Sequence, residues 1–210
     1  MSKREFLISG AALSAATLLP AGVASAIQAG KEYREVRPPQ RTAVEAGQIE
    51  VLEFFWYACP HCYSLHPSIE NWAKKLPDDV VFRHVHVQFR SPSHQQIHYT
   101  LEAMGKDKEL GVKVFEAIHR ERKRMRDESE IREWAAANGL DEQAFMKVYS
   151  SFGVRTQMKR ASQATAAFGV DGVPMIAVNG KYLTSPSMTG SNEAALRVTD
   201  ALIEMERKAA

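Results

Sequence analysis

Cys59 and Cys62 are the only cysteines among 210 residues. Pro60 and His61 separate them, and the pair follows directly on a run over residues 51–58 that is apolar but for Glu53. A strand-like run ending in C-x-x-C presents a redox pair where a sheet edge meets the start of a helix. With no third cysteine to join, disulfide chemistry done by one molecule cycles this pair between dithiol and disulfide. If Cys59 caps the helix, Pro60 takes the first helical position, where a missing N–H costs nothing. The Cys59 sulfur then faces the unpaired N–H groups of His61 and Cys62 and the positive end of the helix dipole, which favours thiolate over thiol. Cys62 falls one turn inward, within bonding reach but better shielded.

Other chemistries compete for the same motif. A c-type haem site needs histidine directly after the second cysteine, and Tyr63 stands there. Zinc would need two further ligands, for which His66, His84, His86, His94 and His98 are candidates. A structural disulfide needs nothing more, since cysteine pairs in exported chains are often braces.

Export is therefore the deciding context. Lys3 and Arg4 open the chain, residues 6–19 are mostly apolar or small, and Ala24, Ser25 and Ala26 match a small-residue cleavage site. The apolar part is short and alanine-rich for a membrane span. Residues 1–26 thus read as a cleavable export signal, and residues 2–7 also resemble a twin-arginine signal with lysine first, so the route stays open. At 210 residues the chain buries a core without staples, which makes the pair a tool rather than a brace. The composition, 45% hydrophobic and 25% charged, excludes disordered and fibrous classes, and a formal charge of +2 gives no reason to propose nucleic acid.

The elements that must position the pair are legible as an α/β pattern. An edge strand is expected around residues 33–36, a buried central strand over 49–57, a helix over 62–76 kinked at Pro67, and a second buried strand over 80–89. Strand, helix and strand form a parallel unit. From residue 91 to about 159 the pattern is helical, with starts at Asp107, at Asp127 with Glu130 three residues on, and at Asp141, where Leu140 and Phe145 form a staple. The basic stretch 119–126 reads as the solvated face of a helix, with contact to acidic substrates or lipid head groups as the other reading. Met104, Met125, Met146, Met158, Met175 and Met188 read mostly as core filler. Strand character returns at 174–178, turns at Asn179 and Gly180, and continues over 181–184. A last helix starts near Ser191 and carries Ala195, Val198, Leu202 and Met205 on one face.

Glu53, Phe54 and Phe55, the run Cys59, Pro60, His61, Cys62 and Tyr63, then Gly172, Val173 and Pro174, and finally Val178, Asn179, Gly180, Lys181 and Tyr182, resemble the DsbA family of periplasmic disulfide oxidases. The likeness covers nearly the whole mature chain. It implies a thioredoxin fold with an inserted all-helical domain, residues 27–90 and 160–210 forming the thioredoxin-like part and 91–159 the insertion. It also implies a periplasmic thiol:disulfide oxidoreductase that passes its disulfide to newly exported reduced proteins, with a quinone-linked membrane partner of the DsbB type to reoxidise it. Neither a cofactor nor a metal is implied, and the protein is expected to be a monomer. Cys59, Cys62, Pro60, His61 and Glu53 would be the catalytic set, and Val173 with Pro174, in the position of the family's cis proline, would hold substrate. Glu53 points where Val51 and Phe55 point. In the family a buried acid here pairs with a lysine on the next strand, whose position His84 takes.

Two rival functions share these features. One is a disulfide isomerase or reductase of the same fold, although the roughly 20 residues between the cleavage site and Gly47 leave no room for the dimerisation domain such isomerases usually carry. The other is a non-catalytic binding module with a structural disulfide.

Overall fold

A computed structural model describes residues 27–209; the export signal expected over residues 1–26 lies outside them. The centre of the fold is β2, Ile49–Phe55, with all seven residues buried. A strand apolar on both faces is stable only between two layers, and that is where it lies. It pairs in parallel with β3, Val80–His86, and antiparallel with β4, Met175–Val178. The edge strands β5, Tyr182–Thr184, and β1, Tyr33–Glu35, complete the sheet order β1-β5-β4-β2-β3.

Alternation along the strands divides the core. Val51, Ile176 and Val178 pack with Leu65 and Ile69 of α1, Pro60–Ala73, and with Leu202 of α8, Asn192–Ala209. Leu52, Phe54 and Ala177 point to the other face, where Val154 and Ala161 of α6, Phe152–Ala167, cover them. α6 runs without a break through Lys159 and Arg160, so one helix spans the insertion and the second half of the sheet domain. The other insertion helices are α2, Pro92–Ala103, α3, Asp107–His119, α4, Glu128–Ala137, and α5, Glu142–Tyr149. They enclose a third cluster that contains Cys59 and Cys62 themselves, against Val114, Phe115 and Trp134. A short α7, Pro186–Thr189, precedes the last helix.

Several boundaries follow the expected local chemistry. Asp141 accepts the Ala144 N–H at 2.7 Å as an N-cap, and Phe145 beneath it is buried. Asn179 and Gly180 take left-handed angles, φ 49° and 70°, in the hairpin turn. Gly180 is obligatory for a second reason: a Cβ there would meet the Gln40 carbonyl oxygen at 2.0 Å.

Other expectations are corrected. α1 begins at Pro60 rather than Cys62 and closes at Ala73, with Pro67 inside it. β3 ends at His86, three residues early, because the chain then turns to cap α2 at Ser91, leaving Phe89 44% exposed. The basic stretch is not a helix face, since α3 stops at His119 and α4 starts at Glu128. On α8 Ala195, Val198 and Leu202 are buried as expected, joined by Thr199 and Glu206, whereas Met205 turns outward. Glu206 is buried there because Asn179 Nδ2 and Lys181 Nζ reach its carboxylate at 2.5 and 2.7 Å. The cis peptide bond at Arg37–Pro38 has no counterpart in the sequence reading.

Candidate active site

Cys59 occupies the N-cap of α1 with extended backbone, φ −88° and ψ 118°, and Pro60 is the first helical residue. The Trp56 carbonyl accepts the Cys59 N–H at 2.9 Å, which ties the end of β2 to the helix start. Both cysteines are free thiols; Cys59 is 8% exposed and Cys62 is sealed.

Their environments separate them chemically. A hydrogen bond from the Cys62 thiol lowers the Cys59 pKa most; burial opposes it, but the backbone N–H groups of Cys62 and His61 and the charge of His61 add to the lowering. The balance stands at about 6, so the thiolate dominates at neutral pH. For Cys62 burial pushes the pKa far up, and the bond it makes to Cys59 and the nearby Glu53 charge push the same way. One sulfur is thus a nucleophile at rest, and the other a thiol that must be relieved of its proton before it can react.

Val173 and Pro174 arrive from the loop before β4, joined by a cis peptide bond. Cys59 Sγ lies 3.4 Å from the Val173 carbonyl oxygen, to which its thiol form donates. A groove of about 430 Å³ runs past this point, lined by His61, Ser64, Val173, Pro174 and Asn192.

Beneath the pair, Glu53 is 2% exposed. Its carboxylate accepts from His84 Nδ1 at 2.7 Å, and His84 Nε2 donates to Glu70 on α1 at 2.8 Å. Burial alone would push the His84 pKa down; the hydrogen bonds and charges of Glu53 and Glu70 outweigh it and hold it at about 10. His84 is therefore an imidazolium between two carboxylates, a two-sided donor on the strand beside Glu53. Glu70 opens onto a cleft of about 790 Å³ that His66, His84 and Glu102 also line.

The sequence reading missed Glu70, although its spacing of four from His66 on α1 would have marked the pair. It also missed how histidines brace the residues before Cys59. His86 Nε2 accepts the Tyr57 N–H at 3.3 Å, and His119 Nε2 donates to the Tyr57 carbonyl at 2.8 Å while its ring stacks on Tyr63 at 4.9 Å. Burial lowers the pKa of His86, His94 and His98, so these rings stay neutral and serve as hydrogen-bonding supports. Of the histidines that could complete a zinc site, His84 is committed to its carboxylates, His86 to Tyr57 and His94 to the Arg124 carbonyl at 2.9 Å. All seven residues singled out from the sequence, Glu53, Cys59, Pro60, His61, Cys62, Val173 and Pro174, converge on this one end of the sheet.

Comparison with known proteins identifies the family. Residues 50–195 match the model of the DSBA-like thioredoxin domain. The thiol:disulfide interchange protein DsbA of Bordetella parapertussis is 45% identical over 205 residues, 96% of each chain. That of Azotobacter vinelandii is 41% identical over 211 residues, covering 97% of this chain and 98% of its own. The crystal structure of Pseudomonas aeruginosa DsbA superposes with a TM-score of 0.84 at 41% identity, covering 87% of this chain and 96% of the other. With its thioredoxin fold and helical insertion, the chain belongs to the DsbA family of thiol:disulfide oxidoreductases.

Proposed function

We propose that the protein is an oxidase of the periplasm that donates the Cys59–Cys62 disulfide to newly exported, reduced polypeptides. The observation that carries this reading is the asymmetry of the two sulfurs. A thiolate stabilised at Cys59 makes the reduced state the lower in energy and the disulfide a strong oxidant, which opposes the isomerase or reductase reading.

In the forward reaction a substrate thiolate attacks Cys59 Sγ. The Cys59–Cys62 bond breaks, its electron pair leaves on Cys62 Sγ, and that sulfur takes up a solvent proton relayed through the hydrogen-bonded His84 and Glu53. A second substrate thiolate then attacks the substrate sulfur of the mixed disulfide, and Cys59 departs as the thiolate its surroundings favour. Reoxidation by a quinone-linked membrane partner runs in reverse: Cys59 attacks the partner's disulfide, the proton of Cys62 leaves to solvent by way of Glu53 and His84, and Cys62 Sγ attacks Cys59 Sγ and displaces the partner's sulfur. Pro60 starts the helix that stabilises the thiolate, and His61 adds its charge. The backbone at the half-buried Val173, beside Pro174, pairs with an extended substrate segment, a mode that accepts many sequences.

The test is the equilibrium with glutathione as a function of pH. Two glutathione thiols carry two protons and the reduced protein keeps one, so reduction of the protein releases a proton wherever Cys59 is ionised. The equilibrium constant for disulfide donation should rise about tenfold per pH unit between about 6 and the pKa of a free thiol, and level off below 6. A constant that is flat across that window, or a Cys59 thiolate absorbance that titrates like a free thiol, would overturn the assignment. His61→Pro, which removes the ring's contribution to the thiolate, should make the protein measurably more reducing in the same assay. An unchanged equilibrium would assign His61 to the surface alone.

A further inference from the structure

The segment 119–126 holds Arg120, Arg122, Lys123, Arg124 and Arg126 against one acid, Glu121. Four net positive charges thus sit in eight residues of a chain whose formal charge is +2, and the remainder of the molecule is net negative. The segment folds back on itself through left-handed residues at Arg122 and Met125, φ 61° and 50°. Its backbone is fixed: Lys123 N–H donates to the Ala117 carbonyl at 2.9 Å, and the N–H groups of Arg124 and Met125 donate to the Glu130 carboxylate at 3.1 and 2.6 Å. Met125 is wholly buried, while Arg120, Arg122, Arg124 and Arg126 are exposed. Arg120 lies 3.5 Å from Glu116 and Lys123 2.8 Å from Glu121; among the described residues Arg122, Arg124 and Arg126 form no ion pair.

This rigid basic loop abuts the residues that carry the reactive sulfur. His119, at its start, bonds the Tyr57 carbonyl, and the Arg124 carbonyl is bonded by His94, whose ring lies 6.2 Å from that of Trp56. Trp56 packs at 5.5 Å on the exposed Phe89, next to the exposed Arg90. None of these residues lines the groove beside Pro174. The active site therefore has a second flank, built of arginine and aromatic side chains.

We propose that this flank is a docking surface for acidic segments beside the cysteine of a reduced client polypeptide. The inference rests on the oxidase reading for its client and adds to it a side-chain preference that backbone pairing at Val173 does not provide. Guanidinium groups free of internal partners bind carboxylates through paired N–H donors, and a concentrated patch raises the encounter rate with chains of opposite charge. Placement favours a client over a lipid surface, because the loop is bonded to the segment leading into Cys59, past which a reacting chain must run.

The experiment compares two reduced peptides that share one cysteine pair, flanked by four glutamates in one and four glutamines in the other. At roughly 20 mM salt the oxidised protein should oxidise the acidic peptide about tenfold faster in kcat/KM, and the advantage should collapse near 0.5 M salt. Charge reversal by Arg122→Glu, Arg124→Glu and Arg126→Glu should abolish the preference and leave the glutamine peptide unchanged. The same reversal at Lys147, Lys159 and Arg160, exposed on α5 and α6, should preserve it. A ratio near one, or one that survives reversal of the loop, overturns the proposal. So does a ratio near one accompanied by loop-dependent binding to phosphatidylglycerol vesicles, which would assign the loop to lipid. Binding of serine-for-cysteine versions of both peptides, read by fluorescence anisotropy, is independent of transfer. If neither reduced peptide is oxidised, the oxidase reading fails, while tighter, salt-sensitive binding of the acidic peptide still supports the loop and equal binding overturns it.

Discussion

Replacement of Cys62 by alanine is expected to leave Cys59 able to form a mixed disulfide and unable to escape from it. In the wild type the second sulfur sits one helical turn away, and a positioned intramolecular nucleophile has an effective concentration far above that of any free thiol. Release of a glutathione adduct from Cys59 should therefore slow by roughly 10³-fold or more in Cys62→Ala at millimolar external thiol. The same variant should weaken the nucleophile, because the Cys62 thiol is the largest cause of the low Cys59 pKa and only the backbone N–H groups and His61 would remain against burial. Thiolate absorbance should titrate upward from about 6 by about one unit or more. Mass spectrometry of the persistent adduct and the absorbance titration are independent readouts. Adduct release at the wild-type rate would show that Cys62 is not the resolving sulfur, and an unmoved titration would show that the thiolate is held by the helix terminus alone.

What the sequence disclosed and what it withheld divide along the reach of the interactions concerned. The cap at Cys59, Pro60 at the first helical position and the turn at Asn179 and Gly180 depend on residues within one turn of each other, so residue type alone specifies them. The burial of Glu53 followed from strand alternation. Spacing from His66 could mark Glu70 as half of a pair on α1, but its bond to His84 exists only once α1 lies across β3 and brings its carboxylate to the far nitrogen of that ring. The bracing by His86 and His119 likewise depends on tertiary approach to the Tyr57 backbone, over sequence separations of 29 and 62 residues. Helical periodicity failed at 119–126 for a related reason. Glu130, inside the next helix, accepts two backbone N–H groups of the loop, and the buried Met125 anchors it, so tertiary bonds replaced the helix the composition suggested.

The other large effect is expected at His84, whose charge is shared by carboxylates on two different elements. Glu53 comes from β2 and Glu70 from α1, while the neighbouring His66 and His98 are both held neutral by burial, so neither can substitute for the missing cation. His84→Ala leaves a carboxylate sealed in the core without a partner, a change that typically costs about 3–5 kcal/mol. His84→Lys restores the charge but not the planar two-sided donor, so it should recover much of that loss. The pH dependence gives a sharper signature. The folded pKa of His84, about 10, lies above the ordinary imidazole value of 6.5, so its stabilising contribution is complete below that ordinary value and lost as pH rises towards 10. Denaturant unfolding at pH 7 and pH 10 should show a larger fall for wild type than for His84→Ala, and the gap between the two proteins should narrow as pH rises. If the gap is the same at both pH values, His84 is a packing residue and the imidazolium between Glu53 and Glu70 does not exist in solution. If the gap closes, the same imidazolium is the charge that Glu53 is bonded to beneath Cys62. His84→Ala should then also slow the step in which Cys62 gives up its proton, while leaving the first attack by Cys59 near its wild-type rate.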